Sequence, residues 1–433
     1  MNFKLRDFGF ISFIIGIFLL PSALFISIIF IIFASVISTK INAGKYLRDS
    51  WNFPFLISSL LLVLNCIASY FFEINTIDNW DKNLNWIGLM NWIPFFWLFW
   101  TSQFYLKNFN QKKIFCYAII FGTLPVLVSG LLQYHFKIYG PFSILNDLII
   151  WFQRPITHKN GLTGLFNNAN YMGAWLTTVW PFVICSFLIS KKKIARIFFF
   201  ILIALFIYII ILTQSRNAIF LTFLSTPLIL GIPLIKVMIL ITILFFIIIF
   251  INQIIIIPNF INKLNLPLFS ESLINIFSKL ELNTLINDPR VYIWKSGLMQ
   301  IFSKPILGWG AASFSLLLVS PFFDEEGNQI KITHTHNLFL ELSQSYGLLI
   351  SLTIFITLIT ILFKSHKNIF IKNNFRKNQI ENFYVKAFWI ATFSTFLIQF
   401  LDITYFDGRL SIIFWILFAG IKNSLNSEEN FTQ

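Results

Sequence analysis

KKKIARIFFFILIALFIYIIILTQSRNAIFLTFLSTPLIL, residues 191–230, decides how this chain is read. Lys191, Lys192, Lys193 and Arg196 open it, and no charged residue follows from Ile197 to Leu212. A helix rises about 1.5 Å per residue, so about 20 apolar residues cross a hydrocarbon core. Two such runs are separated here only by Thr213, Gln214, Ser215, Arg216 and Asn217, a spacing that fits two crossings joined by a short polar turn. Arg216 stands at a depth where a guanidinium is costly unless an anion or a water-filled cavity receives it. An interfacial arginine that reaches lipid phosphate meets that condition. So does a fixed fork for a substrate phosphate, which a planar guanidinium grips with two parallel hydrogen bonds.

The pattern extends in both directions. Of the 433 residues, 57% are hydrophobic and 12% charged, too little charge for a soluble domain to cover that much apolar side chain. Apolar segments fall at about 8–20, 22–38, 53–72, 86–106, 114–135, 170–189, 194–213, 216–234, 236–257, 337–363, 383–402 and 408–421. The expected fold is all-α, a polytopic integral membrane protein of about 12 transmembrane helices with a long, partly helical outer loop. The formal net charge is +14. Most of it lies in short loops between spans, as expected for cytoplasmic loops, and this argues against a nucleic-acid partner. Cys66, Cys116 and Cys185 each sit inside an apolar run and read as small packing residues. Lys4 and Arg6 lead into a long apolar region without a small-residue cleavage site, which reads as a retained anchor.

Loop charge sets the topology. Lys4 and Arg6, then Lys40, Lys45 and Arg48, mark two cytoplasmic stretches, so an even number of crossings lies between them, with Pro21 and Ser22 as the turn of a hairpin. Beyond it, loops 73–85, 136–169 and 258–336 and the Asp402–Asp407 turn face out. Loops with Lys107, Lys112 and Lys113, with Lys191 to Arg196, with Lys236, and with Lys364 to Lys377 face in, and both termini are cytoplasmic. Three regions result: nine spans in 1–257, a long outer loop in 258–336, and three spans with a short tail in 337–433. In the outer loop, Leu273, Ile276, Phe277 and Leu280 recur at helical spacing behind Ser270, giving a helix suited to the membrane surface over 270–282. A second helix is expected over 287–302, with Asp288 as cap, Pro289 at its first position and Arg290 in its first turn.

Few residues are chemically equipped. The N–H groups at a helix start add partial positive charge to Arg290, a combination suited to a diphosphate; a salt bridge with Asp288 is the plainer alternative. His336 precedes the tenth span, and a neutral imidazole takes a proton from a hydroxyl without carrying permanent charge. A histidine that satisfies helix-end carbonyls or water is the alternative. His334 and His336 lie two apart, poor spacing for helical co-ligation and without an obvious third ligand, so no metal is expected. Glu341 falls inside the tenth apolar run and needs a polar partner. Arg154, Lys159 and Arg409 are further outward cations, each read singly as a loop charge. Asp324, Glu325 and Glu326 read as a solvated turn, without the facing carboxyls of a glycosidase. A flippase would carry charges through its spans and show repeated halves, which the sequence does not display. A scaffolding role would leave Arg216 unexplained.

Four stretches in this order resemble the superfamily of bacterial O-antigen ligases and O-antigen polymerases. GLFNNANYMGAWL is similar to its Gly-Phe-Gly-Asn-x-Asn-Tyr-x-Gly region through Asn167, Asn170, Tyr171 and Gly173. LTQSRNA resembles the Ser-Arg-x-Ala element through Ser215, Arg216 and Ala218. RVYIWKSGLMQIFSKPILGWG resembles the Arg-x-x-x-Trp and Pro-x-x-Gly-x-Gly elements through Arg290, Trp294, Pro305, Gly308 and Gly310. HTHNLFLELSQSYGLL resembles the His-Asn, nine-residue gap, Gly pattern through His336, Asn337 and Gly347. Ile350 stands where ligases often place Gly, Thr or Tyr; the resemblance favours a ligase slightly, with a polymerase as the alternative. The resemblance implies a bacterial inner-membrane glycosyltransferase with a GT-C-like fold and no cofactor or metal. It further implies inverting transfer, at the periplasmic face, from a glycan on undecaprenyl diphosphate to a lipid A-core or glycan acceptor. Arg216 and Arg290 would hold the diphosphate, His336 would act as base, and Asn170 and Asn337 would contact substrate.

Overall fold

In lipid a segment must satisfy its own backbone donors and acceptors, so the apolar runs fold as helices. A computed structural model of the chain describes residues 2–71, 77, 78, 80–156, 161–253, 288–323, 327–371 and 379–425. α1 (Asn2–Leu19) and α2 (Leu24–Asn42) form the hairpin expected around Pro21, followed by α3 (Phe53–Phe71), α4 (Asn83–Gly88), α5 (Ile93–Ser102) and α6 (Phe109–Phe136). A small antiparallel hairpin, β1 (Phe142–Ile144) and β2 (Ile149–Trp151), was not foreseen. Then come α7 (Ala169–Ile189), α8 (Lys193–Leu212), α9 (Arg216–Ile229), α10 (Leu234–Gln253), α11 (Pro289–Ser303) and α12 (Phe314–Leu317). α13 (Leu338–Tyr346), α14 (Leu348–His366), α15 (Gln379–Leu401) and α16 (Gly408–Lys422) complete the described helices.

Every expected apolar segment carries helix. Among the described residues, seven helical stretches are long and apolar enough to cross a membrane: Leu24–Lys45, Ser50–Phe71, Phe109–Phe136, Ala169–Ile189, Lys193–Leu212, Leu348–Ile371 and Glu381–Leu401. The protein is an all-α integral membrane protein at that level of description. The helix expected over 270–282, Lys159, and the acidic run of Asp324, Glu325 and Glu326 lie outside the described residues.

Two runs read as single spans are interrupted. Residues 86–106 divide at Trp92, whose φ of −129° and ψ of −60° leave the helical region, and α5 restarts with Pro94 in its first turn. Residues 337–363 divide at Gly347, where φ is +92° and a Cβ would lie 2.0 Å from the Ile306 carbonyl oxygen. The interruption is built by a loop from elsewhere in the chain. Trp309 and Gly310 donate backbone N–H bonds to the carbonyls of Gln344 and Ser345 (2.8 and 2.9 Å), and Leu348 donates to Pro305 (2.8 Å). The Pro-x-x-Gly-x-Gly element thus holds α13 apart from α14.

α7 lies at the centre, buried from Met172 to Ser186 and packed on α6, α8, α9, α15 and α16. Between helices in lipid, close packing and hydrogen bonds carry stability, each bond contributing about 0.6 kcal/mol. At Gly173 the approach is close enough that a Cβ would stand 2.8 Å from Ala218 Cβ, so α7 rests directly on the start of α9. Trp180 Nε1 donates to Thr226 Oγ1 (2.9 Å) between the same two helices. At one end of the bundle, Lys422 pairs with Asp49 and donates to Gln103 (2.8 Å). The connections 161–168, 213–215, 333–337 and 402–407 gather at the opposite end.

Candidate active site

Each expected cation and the base stands at a helix start. Ser215 caps α9, its hydroxyl accepting from Ala218 N–H, and Arg216 is the first helical residue. Asp288 caps α11, its Oδ1 accepting from Arg290 N–H at 2.9 Å. Arg216 Nη2 donates to the other oxygen of Asp288 at 3.0 Å. The acid weighed as the alternative partner of Arg290 therefore binds the Arg216 guanidinium, tying the starts of α9 and α11 together. Burial alone would raise the Asp288 carboxyl, but the Arg290 N–H and the Arg216 guanidinium outweigh it and hold it below the usual carboxylate range. Among the described residues the Arg290 guanidinium forms no hydrogen bond or ion pair. It lies close enough to Asp402 to stabilise that residue's negative charge.

His336 is held in an uncommon backbone shape. Its φ is +54°, the left-handed region that a non-glycine residue enters at a cost of about 1–3 kcal/mol. The surrounding turn enforces it. Thr335 N–H donates to Glu341 Oε2 at 2.9 Å, Thr335 Oγ1 donates to the Asn337 carbonyl at 2.8 Å, and His336 N–H donates to His334 Nδ1 at 3.3 Å. Glu341 thus finds the polar partner its position in an apolar run demands. Asn337 caps α13, accepting from Leu340 N–H, and its amide donates to the Phe400 carbonyl at 3.2 Å. The Asn337 amide, expected at substrate, is engaged in holding this turn.

The His336 side chain meets Asp402, with Nδ1 2.9 Å from Oδ1. The second oxygen of Asp402 accepts from Asn170 Nδ2 at 2.8 Å, so both oxygens are engaged. Asp402 is nearly buried, at 7% side-chain exposure, whereas His336 is 32% exposed. Burial would raise the Asp402 carboxyl. The hydrogen bond with His336, then the nearby charges led by His336 and Arg290, lower it further than burial raises it, so Asp402 stays ionised. A carboxylate at Nδ1 fixes the proton there and leaves Nε2 as the basic nitrogen. His336 Nε2 has no hydrogen-bond partner among the described residues. His334 is pushed down to about 4 by burial and then by His336, and stays neutral at neutral pH.

Asp402 is the residue of this cluster that the sequence does not single out; there it serves only to mark an outward loop. Its signal was faint: one acid directly after an apolar run, in a turn with a second acid and Arg409. That turn is fastened by Arg409, whose guanidinium binds Asp407 through Nε (3.0 Å) and Nη2 (2.6 Å). Its Nη1 donates to the Leu165 carbonyl at 2.9 Å, and the group lies 3.7 Å from the centre of the Phe166 ring. Arg409 is therefore part of the scaffold around Asp402, while Arg154 lies exposed beyond β2.

The arrangement offers an oriented imidazole, an ionised carboxylate behind it and, beside that carboxylate, a guanidinium without an ion pair among the described residues. Residues 201–355, which include Arg216, Arg290 and His336, match the family described as O-antigen ligase. No curated protein matches the chain.

Proposed function

We propose that this chain, whose residues 201–355 match the O-antigen ligase family, transfers a glycan from undecaprenyl diphosphate to an acceptor hydroxyl at the periplasmic face of the inner membrane. His336 is the base. Its Nε2 takes the hydroxyl proton as the acceptor oxygen bonds to the anomeric carbon. The bond from that carbon to the diphosphate oxygen breaks on the opposite face, its electron pair leaving with the diphosphate, so the configuration inverts. Arg290, with Arg216, takes up the charge that grows on the leaving group. Asp402 keeps the His336 proton on Nδ1, and Asn170 acts through Asp402.

The observation that carries this reading is the Asn170–Asp402–His336 chain, with contacts of 2.8 and 2.9 Å, beside Arg290, whose guanidinium meets no acceptor among the described residues. A lipid-linked donor also accounts for a chain whose described part is membrane helices and short connections. The test is purified protein in lipid nanodiscs, given undecaprenyl-diphosphate glycan and, in parallel, lipid A-core or a second lipid-linked glycan. The expected result is one coupled product with an inverted anomeric centre, formed equally with EDTA present. Coupling to lipid A-core makes the protein a ligase and coupling to glycan a polymerase. Retention of configuration, or loss of turnover with EDTA, contradicts the mechanism.

A further inference from the structure

Beyond the His334–His336 turn lies a half-open cavity of about 290 Å³, lined by Leu84, Ile87, Trp92, His334, Glu341 and Phe406 among others. It draws on α4, the turn before α5, the start of α13 and the 402–407 connection, the end of the bundle where the candidate active site lies. Its size is near the small end of the range of about 300–1,000 Å³ typical of small-molecule sites. The site described above does not use it. We infer that this cavity is a subsite for an uncharged sugar ring of the acceptor, with His334 as its hydrogen-bonding wall next to the base; this rests on the proposed transfer reaction.

Three observations select that occupant. First, among the described residues the lining holds no lysine or arginine, while Arg216 and Arg290 are placed at the helix starts near Asp288 and Asp402. A diphosphate has its cations there. Second, the walls join aromatic and aliphatic faces to a few polar groups: Trp92 and Phe406 against His334 and Glu341. A sugar ring has that dual character, with C–H faces for aromatic rings and hydroxyls at its edge. A polyprenyl chain would offer no acceptor to a proton on His334 Nε2. Third, the location is right. His334 and His336 have ring centres 4.3 Å apart, so a ring touching His334 lies one side chain from the base. With Nδ1 accepting from His336 N–H, the neutral His334 carries its proton on Nε2 and is a donor toward a hydroxyl.

The test separates this inference from the reaction itself. Leu84 is half-buried on the short helix α4, so Leu84→Trp fills the cavity with little demand on the bundle; Phe406, already 44% exposed, supports Phe406→Ala. Saturation-transfer NMR in nanodiscs, without donor, uses methyl glycosides of hexoses, N-acetylhexosamines and heptoses. At least one should give a signal that Leu84→Trp removes, Phe406→Ala weakens and His336→Ala retains. In steady state Leu84→Trp should raise the acceptor KM by about ten-fold or more and leave the donor KM unchanged. A rise in donor KM instead assigns the cavity to the lipid-linked substrate and overturns the inference. So does the absence of any glycoside signal sensitive to Leu84→Trp. If His336→Ala transfers glycan normally while glycoside binding persists, the catalytic reading fails and the subsite stands.

Discussion

Replacing Asp402 by asparagine should lower kcat by about 10²–10⁴-fold while the protein still inserts and binds its donor. The reason is the direction of two hydrogen bonds. Asp402 accepts from Asn170 Nδ2 at 2.8 Å and faces His336 Nδ1 at 2.9 Å. An asparagine has one oxygen and one NH₂. With its oxygen kept toward the Asn170 amide, its NH₂ points at His336 and selects the tautomer protonated on Nε2. The base then has no lone pair on the side where the acceptor hydroxyl must arrive. Turning the amide restores the tautomer but sets two NH₂ groups against each other. Asn170→Ala removes only the outer link and should cost much less. The check is kcat and donor KM of both variants in nanodiscs at matched protein. An Asp402→Asn enzyme within about three-fold of the parent would remove Asp402 from the mechanism.

Arg216→Lys is expected to lower kcat/KM for the donor by about 10–100-fold, the loss of one charge-assisted hydrogen bond. Arg216 has two duties in this account. It faces the leaving diphosphate, and its Nη2 holds Asp288, the cap that presents Arg290 at the start of α11. A lysine keeps the charge but not the planar fork, so it can serve one of these partners and not both. Donor titrations of Arg216→Lys and Arg216→Ala give the comparison. If both equal the parent, Arg216 is an interfacial arginine whose charge is met by Asp288 and lipid.

Much of the fold was legible because apolar length is a one-dimensional property. The Pro21 hairpin, the cap at Asp288 and the helix behind Pro289 depend on neighbours within a few residues, and all are present. The break at Gly347 was not legible. Nothing nearby in sequence ends that apolar run, and the bonds that end it come from Pro305, Trp309 and Gly310 about 40 residues earlier. Trp92 illustrates the same limit: Pro94 follows it, but Pro125, Pro181 and Pro227 stand inside continuous helices, so a proline alone does not end such a run. In the candidate site, His336, Arg216 and Arg290 stood out because each residue type is conspicuous where it occurs. Asp402 did not, since it lies 66 residues from His336 and its role depends on a contact across the bundle. Asn337 and Arg409 show the converse: residues whose chemistry suits a substrate can be occupied in shaping the scaffold.

The central claim is that the His336 imidazole removes the acceptor proton from a site loaded with lipid-linked donor. Its most direct test is His336→Ala expressed at the parental level in the native membrane, with lipid-linked glycan and finished polymer measured together. The account predicts that the undecaprenyl-diphosphate glycan accumulates and that coupled product is absent. Polymer display at the parental level, with no accumulation of donor, would contradict it.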